Sequence, residues 1–305
     1  MSNRGAKRDS QRATLRAPPT SRVAFVPNWP LRIGFILLAI YVVWAMGQLD
    51  VTWARFIDGL TAGQKFLGRM FPPNFSSEKV EMITKGLLES VQIAVIATVI
   101  GIALSLPIGL LAARNLMPAW IVWPARALIA VCRSFHEVVI AIIFVKAVGF
   151  GAIAGIGALV VGSIGFISKL FAEAIEEISP KQVEAVRASG AGFFGVLIYG
   201  VIPQVFSRFL GFASYQFDSN LRHSTMIGIV GAGGIGGSLF SAFQRFDYDF
   251  VCAILLSIIA LIVVAEVLSN YVRALFNDNL ALLDYLRNRR VSKLSRGKSA
   301  TLGAS

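Results

Sequence analysis

The chain has 305 residues, 55% hydrophobic and 15% charged, and its 29 Lys and Arg against 17 Asp and Glu give a formal net charge of +12. Soluble domains carry about 25% charged and about 45–50% apolar residues, so this composition excludes an ordinary soluble domain and a globally disordered chain. Cys132 and Cys252 are the only cysteines and both lie in apolar runs, which excludes a disulfide scaffold; with so few thiols, His136 and His223 make no metal cluster.

Residues 1–30 are rich in Arg, Ser and Pro and are expected to form a disordered basic tail. A helix needs about 20 predominantly apolar residues to cross a bilayer. The first such run, Ile33 to Leu49, is free of charge between Arg32 and Asp50. No small-residue cleavage site follows it, so it reads as a span rather than a signal peptide. Trp53 to Phe71 then sets Trp53, Phe56, Ile57, Leu60, Phe66, Leu67 and Phe71 at roughly helical spacing before Pro72-Pro73. An amphipathic helix in the interface and a simple outer loop both fit this segment. Residues 31–85 are thus expected to hold the first span and an outer segment, and 86–275 a core of five further spans.

The second run, Ser90 to Ala113, carries Gly101, Pro107 and Gly109, residues that favour close packing between helices. The third extends from about Ala125 to Val145 through Arg133, His136 and Glu137. Arg133 and Glu137 are four apart, which on one helix gives a pair; structural pairing is the favoured reading and a pathway role the other. The fourth, Ala147 to Ser168, holds Gly151, Gly155, Gly157, Gly162 and Gly165 and reads as a helix buried among others. The fifth runs from about Ile202 to Phe217, with Asp218, Asn220 and Arg222 at its outer end, and Asp218 and Arg222 invite the same two readings. The sixth runs from Phe250 past Glu266 to Tyr271, and 276–305 is a second basic tail.

Lys and Arg crowd both termini, which puts both in the cytoplasm and requires an even number of spans, in agreement with six. The mixed charges of residues 50–89 suit the outer face. Anionic membrane lipid accounts for the basic tails, and nucleic acid is not expected as a partner.

Between spans four and five the chain returns through the cytoplasm. Ser179-Pro180-Lys181-Gln182 reads as a helix start, with Ser179 as N-cap, Pro180 at the first helical position and Gln182 completing a capping box. The helix continues to Ser189, and Gly190 is a natural left-handed terminator. Such a short, polar-faced helix on the inner surface is shaped to dock into another protein. Glu184-Ala185, then Gly190, then Ile202-Pro203 resembles the EAA loop of ABC-importer permeases, departing at Val186, Gly200 and Ile202 but keeping the spacing. Leu110 to Asn115, Lys169 to Glu176 and Gly228 to Gly236 are similar to segments of phosphonate-importer permeases. The resemblance covers about Gly86 to Tyr271.

Two further motifs point elsewhere. Gly231 to Gly236 fits G-x-G-x-x-G after the strand-like Met226 to Val230, but that fingerprint needs a βαβ unit, and membrane spans flank it here. A glycine-rich turn at the outer mouth is the favoured reading, with backbone N–H groups meeting an anion as the other. Gly297-Lys298-Ser299 echoes the end of a phosphate loop, but Ser292 stands where its first glycine belongs.

The resemblance implies an all-α polytopic membrane protein of about six transmembrane helices with a type I ABC-importer (MetI-like) core. It implies import of phosphonate or a related phosphorus oxyanion, with a coupling loop at 176–203 in which Glu184, Ala185, Arg187, Gly190 and Pro203 face the motor. The weaker pathway candidates are Asn220, Arg222, Gly231, Gly233, Gly234, Arg133 and Glu137. Two copies of the chain would form the pathway above two ATP-binding cassette subunits, which hold ATP and Mg, while this chain binds no cofactor or metal and is not an enzyme. A periplasmic or lipid-anchored binding protein would deliver substrate. An importer of another small solute such as methionine, or a secondary transporter working without ATP, are the rivals.

Overall fold

A computed structural model of the chain describes residues 29–48 and 52–271. The basic tails expected over 1–30 and 276–305 lie outside the described residues, except Trp29 and Pro30, which open the first helix. The Gly297-Lys298-Ser299 motif lies outside them too. Helices account for most of the described residues, and no strand occurs among them.

The chain divides into two units, 1–66 and 67–305. In the first, α1 spans Trp29–Gln48 and exposes apolar side chains all round, with no buried residue. Its 20 residues give a length of about 30 Å, the thickness of the hydrocarbon core. Helix α2 runs Trp53–Met70, so the segment takes the helical alternative. Its exposed Trp53, Phe56, Ile57, Leu60 and Leu67 fall on one side.

The second unit is a helical bundle. Helix α3, Ser77–Ala112, has 36 residues and is roughly 54 Å long, well beyond what a bilayer core requires. It begins thirteen residues before the apolar run that announces it, and the division expected at 85/86 falls inside it. After it come α4 (Ala119–Ser134), α5 (Glu137–Val148) and α6 (Ala152–Glu176). A short helix, α7, follows over Pro180–Ala188. A brief turn at Phe193–Gly195 and π-helical turns over Val196–Val201 lead into α8, Ile202–Ile227. Helix α9, Ile235–Gln244, is too short to span, and α10 covers Tyr248–Tyr271.

Among the described residues, five helical segments are long and apolar enough to cross a membrane, and a sixth crossing exists if α4 and α5 are one broken span. This corrects the expected third span: its halves meet at 92° across Phe135 and His136. Arg133 therefore ends one helix and Glu137 begins the next, and they share no helix face.

The most extensive packing is between α3 and α6, which run side by side in the same direction. A Cβ on Gly101 would lie 2.4 Å from Ser163 Cβ, and one on Gly109 would lie 2.8 Å from Phe171 Cδ1. The two backbones approach so closely only because α3 has no side chain at these positions. Ser105 Oγ donates to Ser163 O at 3.3 Å and Ser168 Oγ to Ser105 O at 3.2 Å across the same seam. One core cluster joins Ile93 and Ala97 of α3, Ile140 of α5, Leu159 of α6 and Ile227 of α8. A second gathers Phe171 and Ile175 of α6, Val183 of α7, and Val201 and Val205 where α8 begins. It is this second cluster that fixes α7 to one end of the bundle. At the other end, Lys79 Nζ lies 3.1 Å from Asp247 and 3.7 Å from Asp249, clamping the start of α3 to the start of α10.

Candidate functional site

The loop carrying α7 is built from local chain constraints. Pro180 takes the first helical position, where its missing N–H costs nothing. Gly190 ends the loop helix with φ +81°, the left-handed conformation expected of it. The capping box does not form: Ser179 makes no side-chain bond to the helix. Its backbone N–H instead donates to Gln204 Oε1 at 3.1 Å, while Gln204 Nε2 donates to Gly200 O at 2.5 Å. One side chain of α8 thus staples both ends of the loop.

Val183 is buried and Val186 half-buried, and both sit over Gly200, where a Cβ would lie 3.6 Å from Val183 Cα and 3.7 Å from Val186 Cγ2. With that face held, α7 turns its other face outward: Glu184, Ala185 and Arg187 are exposed, as are Gly190 beyond it and Pro203 in the first turn of α8. The result is a short helix with a fixed seat and a free polar face.

Glu176, at the end of α6, braces this end of the bundle. Its Oε1 accepts from Arg126 Nη2 at 2.6 Å and from the Arg114 backbone N–H at 2.7 Å. Arg126 Nε also donates to Ala112 O at 3.0 Å, and Asn115 Nδ2 to Ile175 O at 2.7 Å. Arg208 pairs with Glu177 at 2.6 Å. Sequence reading singled out neither Gln204, Glu176 nor Arg126 as a brace, because each acts through partners far off in the chain.

The pathway candidates do not gather in one place. Asn220, expected at the outer end of a span, is 1% exposed and lies inside the bundle. Its Nδ2 donates to Thr98 Oγ1 at 2.9 Å and to Ser163 Oγ at 3.1 Å. Gln216 Nε2 donates to Asn220 Oδ1 at 2.9 Å and to Ser163 Oγ at 3.0 Å. These bonds tie α3, α6 and α8 together at the level of Gly101. Amides four apart inside a span were the available signal for this cluster.

Asp218 does not pair with Arg222; it accepts from Ser269 Oγ of α10 at 2.6 Å, and Arg222 is exposed. Glu137 lies against Gly162, and Arg133 Cγ lies against Gly165. His223, which sequence reading left aside, comes within 3.7 Å of Glu137.

Residues Met226 to Val230 are not strand-like: α8 ends at Ile227 and one 3₁₀ turn, Gly228–Val230, follows. Gly231, Gly233 and Gly234 have φ of +85°, +81° and +81°. Their turn is wedged into the packing, with hypothetical Cβ atoms 2.3 Å from Phe150 Cδ1, 2.9 Å from Ala152 N and 2.6 Å from Ser90 Oγ, respectively. Ser90 Oγ accepts from the Ile235 N–H at 3.0 Å. With a helix on both sides and no strand, the dinucleotide fingerprint has no fold to work in.

Residues 105–280 match the family model described as binding-protein-dependent transport system inner membrane component. The chain belongs to this family. The match begins inside α3 and takes in the braced end, the α7 loop and the glycine turn. Among relatives of this membrane component, the phosphite transport system permease protein PtxC of Stutzerimonas stutzeri is 39% identical over 82% of the chain and 91% of its own length. The phosphate-import permease protein PhnE of Mycolicibacterium smegmatis is 46% identical over 68% of the chain, which spans only 39% of that relative. The fold is shared with a chain of the MetNI methionine ABC transporter in an inward-facing conformation, at a TM-score of 0.58 and 22% identity over 66% of this chain and 98% of that one. The chain is therefore a multi-pass, all-α inner membrane transport component with a MetI-like core.

Proposed function

We propose that the chain is the membrane-spanning permease of an ATP-driven importer for a phosphorus oxyanion: phosphonate, phosphite or phosphate. The observation that carries this reading is α7, a short helix seated by Val183 and Val186, closed by left-handed Gly190, and exposing Glu184, Ala185 and Arg187. The names of the relatives support the substrate class, since PtxC is a phosphite permease and PhnE a phosphate-import permease.

In this reading two copies of the chain form the pathway, and both termini and α7 are cytoplasmic. Two ATP-binding cassette subunits, which hold ATP and Mg, grip α7, and a periplasmic or lipid-anchored binding protein delivers the anion. The chain itself performs no catalysis. Closure of the motor pulls on α7, and the Gln204 staple and the Val183 seat pass that pull to α8 and α6 without slack. The helices then rock as rigid bodies about glycine-lined seams and open the pathway outward. An anion crossing a region of low dielectric needs compensating donors, so tight recognition is left to the binding protein.

Uptake into vesicles bearing the permease, its ATP-binding subunit and its binding protein tests this. Phosphite or methylphosphonate is expected to accumulate only with ATP inside and binding protein outside. Accumulation driven by a proton or sodium gradient, with no ATP-binding subunit present, contradicts it.

A further inference from the structure

The break between α4 and α5 packs against the middle of α6. Arg133 abuts Gly165 and Glu137 abuts Gly162 on a helix that runs Ala152–Glu176, which puts the elbow about 15 Å from either end of that crossing. His136 sits at the bend, and His223 reaches in from α8. Glu137 is held between the two imidazoles, with Oε1 3.7 Å from His223 Nδ1 and Oε2 3.8 Å from His136 Nδ1. Both separations exceed hydrogen-bond length, and His136 Nδ1 is already used in accepting from the Val138 N–H at 3.3 Å. The carboxylate is lodged there but loosely bound.

The surroundings offer it no better partner. Helix α6 has no ionisable residue from Ala152 to Ser168, and α5 has none between Glu137 and Lys146. On α8, Asp218 is engaged by Ser269. Among the described residues, neither Arg133 nor Arg222 enters an ion pair. Gly162 leaves the seat open, since a Cβ there would lie 3.2 Å from Glu137 Cγ. The side chains of Glu137, His223 and His136 are 27%, 36% and 71% exposed. Ionisable groups exposed at this depth are costly against hydrocarbon, so this side of the chain faces a wet pathway or a second copy.

We propose that Glu137 is a tethered stand-in for the transported anion. Its carboxylate occupies the seat between His136 and His223 that a phosphorus oxyanion takes in transit, so that entry of substrate and withdrawal of the carboxylate are one event. A carboxylate and a phosphorus oxyanion compete for an imidazole N–H, which His223 can present and which His136 Nδ1 cannot while it accepts from the Val138 N–H, and the tether gives the carboxylate the advantage until the pathway opens. The unloaded pathway is thereby closed to stray anions by the protein's own charge. The inference rests on the substrate class proposed above.

The test is binding of inorganic phosphite to the purified complex of permease and ATP-binding subunits, without binding protein, alongside ATP-driven uptake in vesicles. Glu137→Gln is expected to bind phosphite at least tenfold more tightly than wild type, and Glu137→Gln with His136→Ala and His223→Ala is expected to lose that gain. If Glu137→Gln does not assemble, Glu137→Asp, which draws the charge back by one methylene, is expected to gain affinity in the same direction but less. Unchanged or weaker binding in the single variant, or a gain that survives removal of both imidazoles, overturns the inference. Failure of the substrate reading is separate: wild-type complex would then take up no phosphorus oxyanion in the presence of ATP and binding protein.

Discussion

Replacing Gly190 with valine is expected to cut ATP-driven uptake roughly tenfold or more while the protein inserts and packs as before. The cost is torsional. Gly190 has φ +81°, and nothing lies within 4 Å of a Cβ built on it, so valine meets no clash. A non-glycine residue in the left-handed region costs about 1–2 kcal/mol, more for a β-branched one. The chain relieves that cost by rewinding, and the polar face of α7 turns with it. Gly190→Asn, which tolerates the left-handed conformation, is expected to retain most uptake. Uptake rate set against membrane yield and melting temperature checks the pair; wild-type uptake by the valine variant would dissociate Gly190 from coupling.

The second large effect is expected at Asn220. Leucine there has nearly the same shape but removes the donor to Thr98 Oγ1 and Ser163 Oγ and the acceptor for Gln216 Nε2. Each buried group left without a partner costs about 1–3 kcal/mol. Gln216 is 5% exposed and Ser163 fully buried, so neither turns to water. The solubilised protein is expected to melt roughly 5 °C lower. Adding Gln216→Leu is expected to recover part of the loss, because removing both partners of a buried bond is milder than removing one. A scanning melt of the wild type and the two variants measures it, and equal melting temperatures would mean the cluster holds nothing together.

What the sequence makes legible here is what the backbone decides locally. Pro180 and Gly190 have restricted or unusual torsions, so the limits of α7 can be read without knowing its neighbours. The long apolar runs are legible for the same reason, since length and hydropathy belong to the segment itself. The break at Phe135 and His136 is hidden because neither glycine nor proline marks it and apolar residues continue on both sides. The spacing of Arg133 and Glu137 then suggests a pair, a conclusion that holds only for an unbroken helix. Asn220 is misplaced for a related reason: α8 runs ten residues past the apolar stretch that announces it, to Ile227, so the amide lies deep instead of at the end. The Gln204 staple and the Glu176 brace depend on residues 25 and 50 positions away, respectively, and only the folded chain brings them together.

The proposed mechanism requires a motor subunit that grips α7 from the cytoplasm. A single cysteine at Ala185, in a chain with Cys132 and Cys252 replaced by alanine and bearing a thiol-attached photoreactive cross-linker, probes that grip in intact membranes. A cross-link to the ATP-binding subunit, whose formation depends on ATP, is expected, together with protection of the free cysteine from impermeant thiol reagents added outside. Labelling of that cysteine from the outside would contradict it.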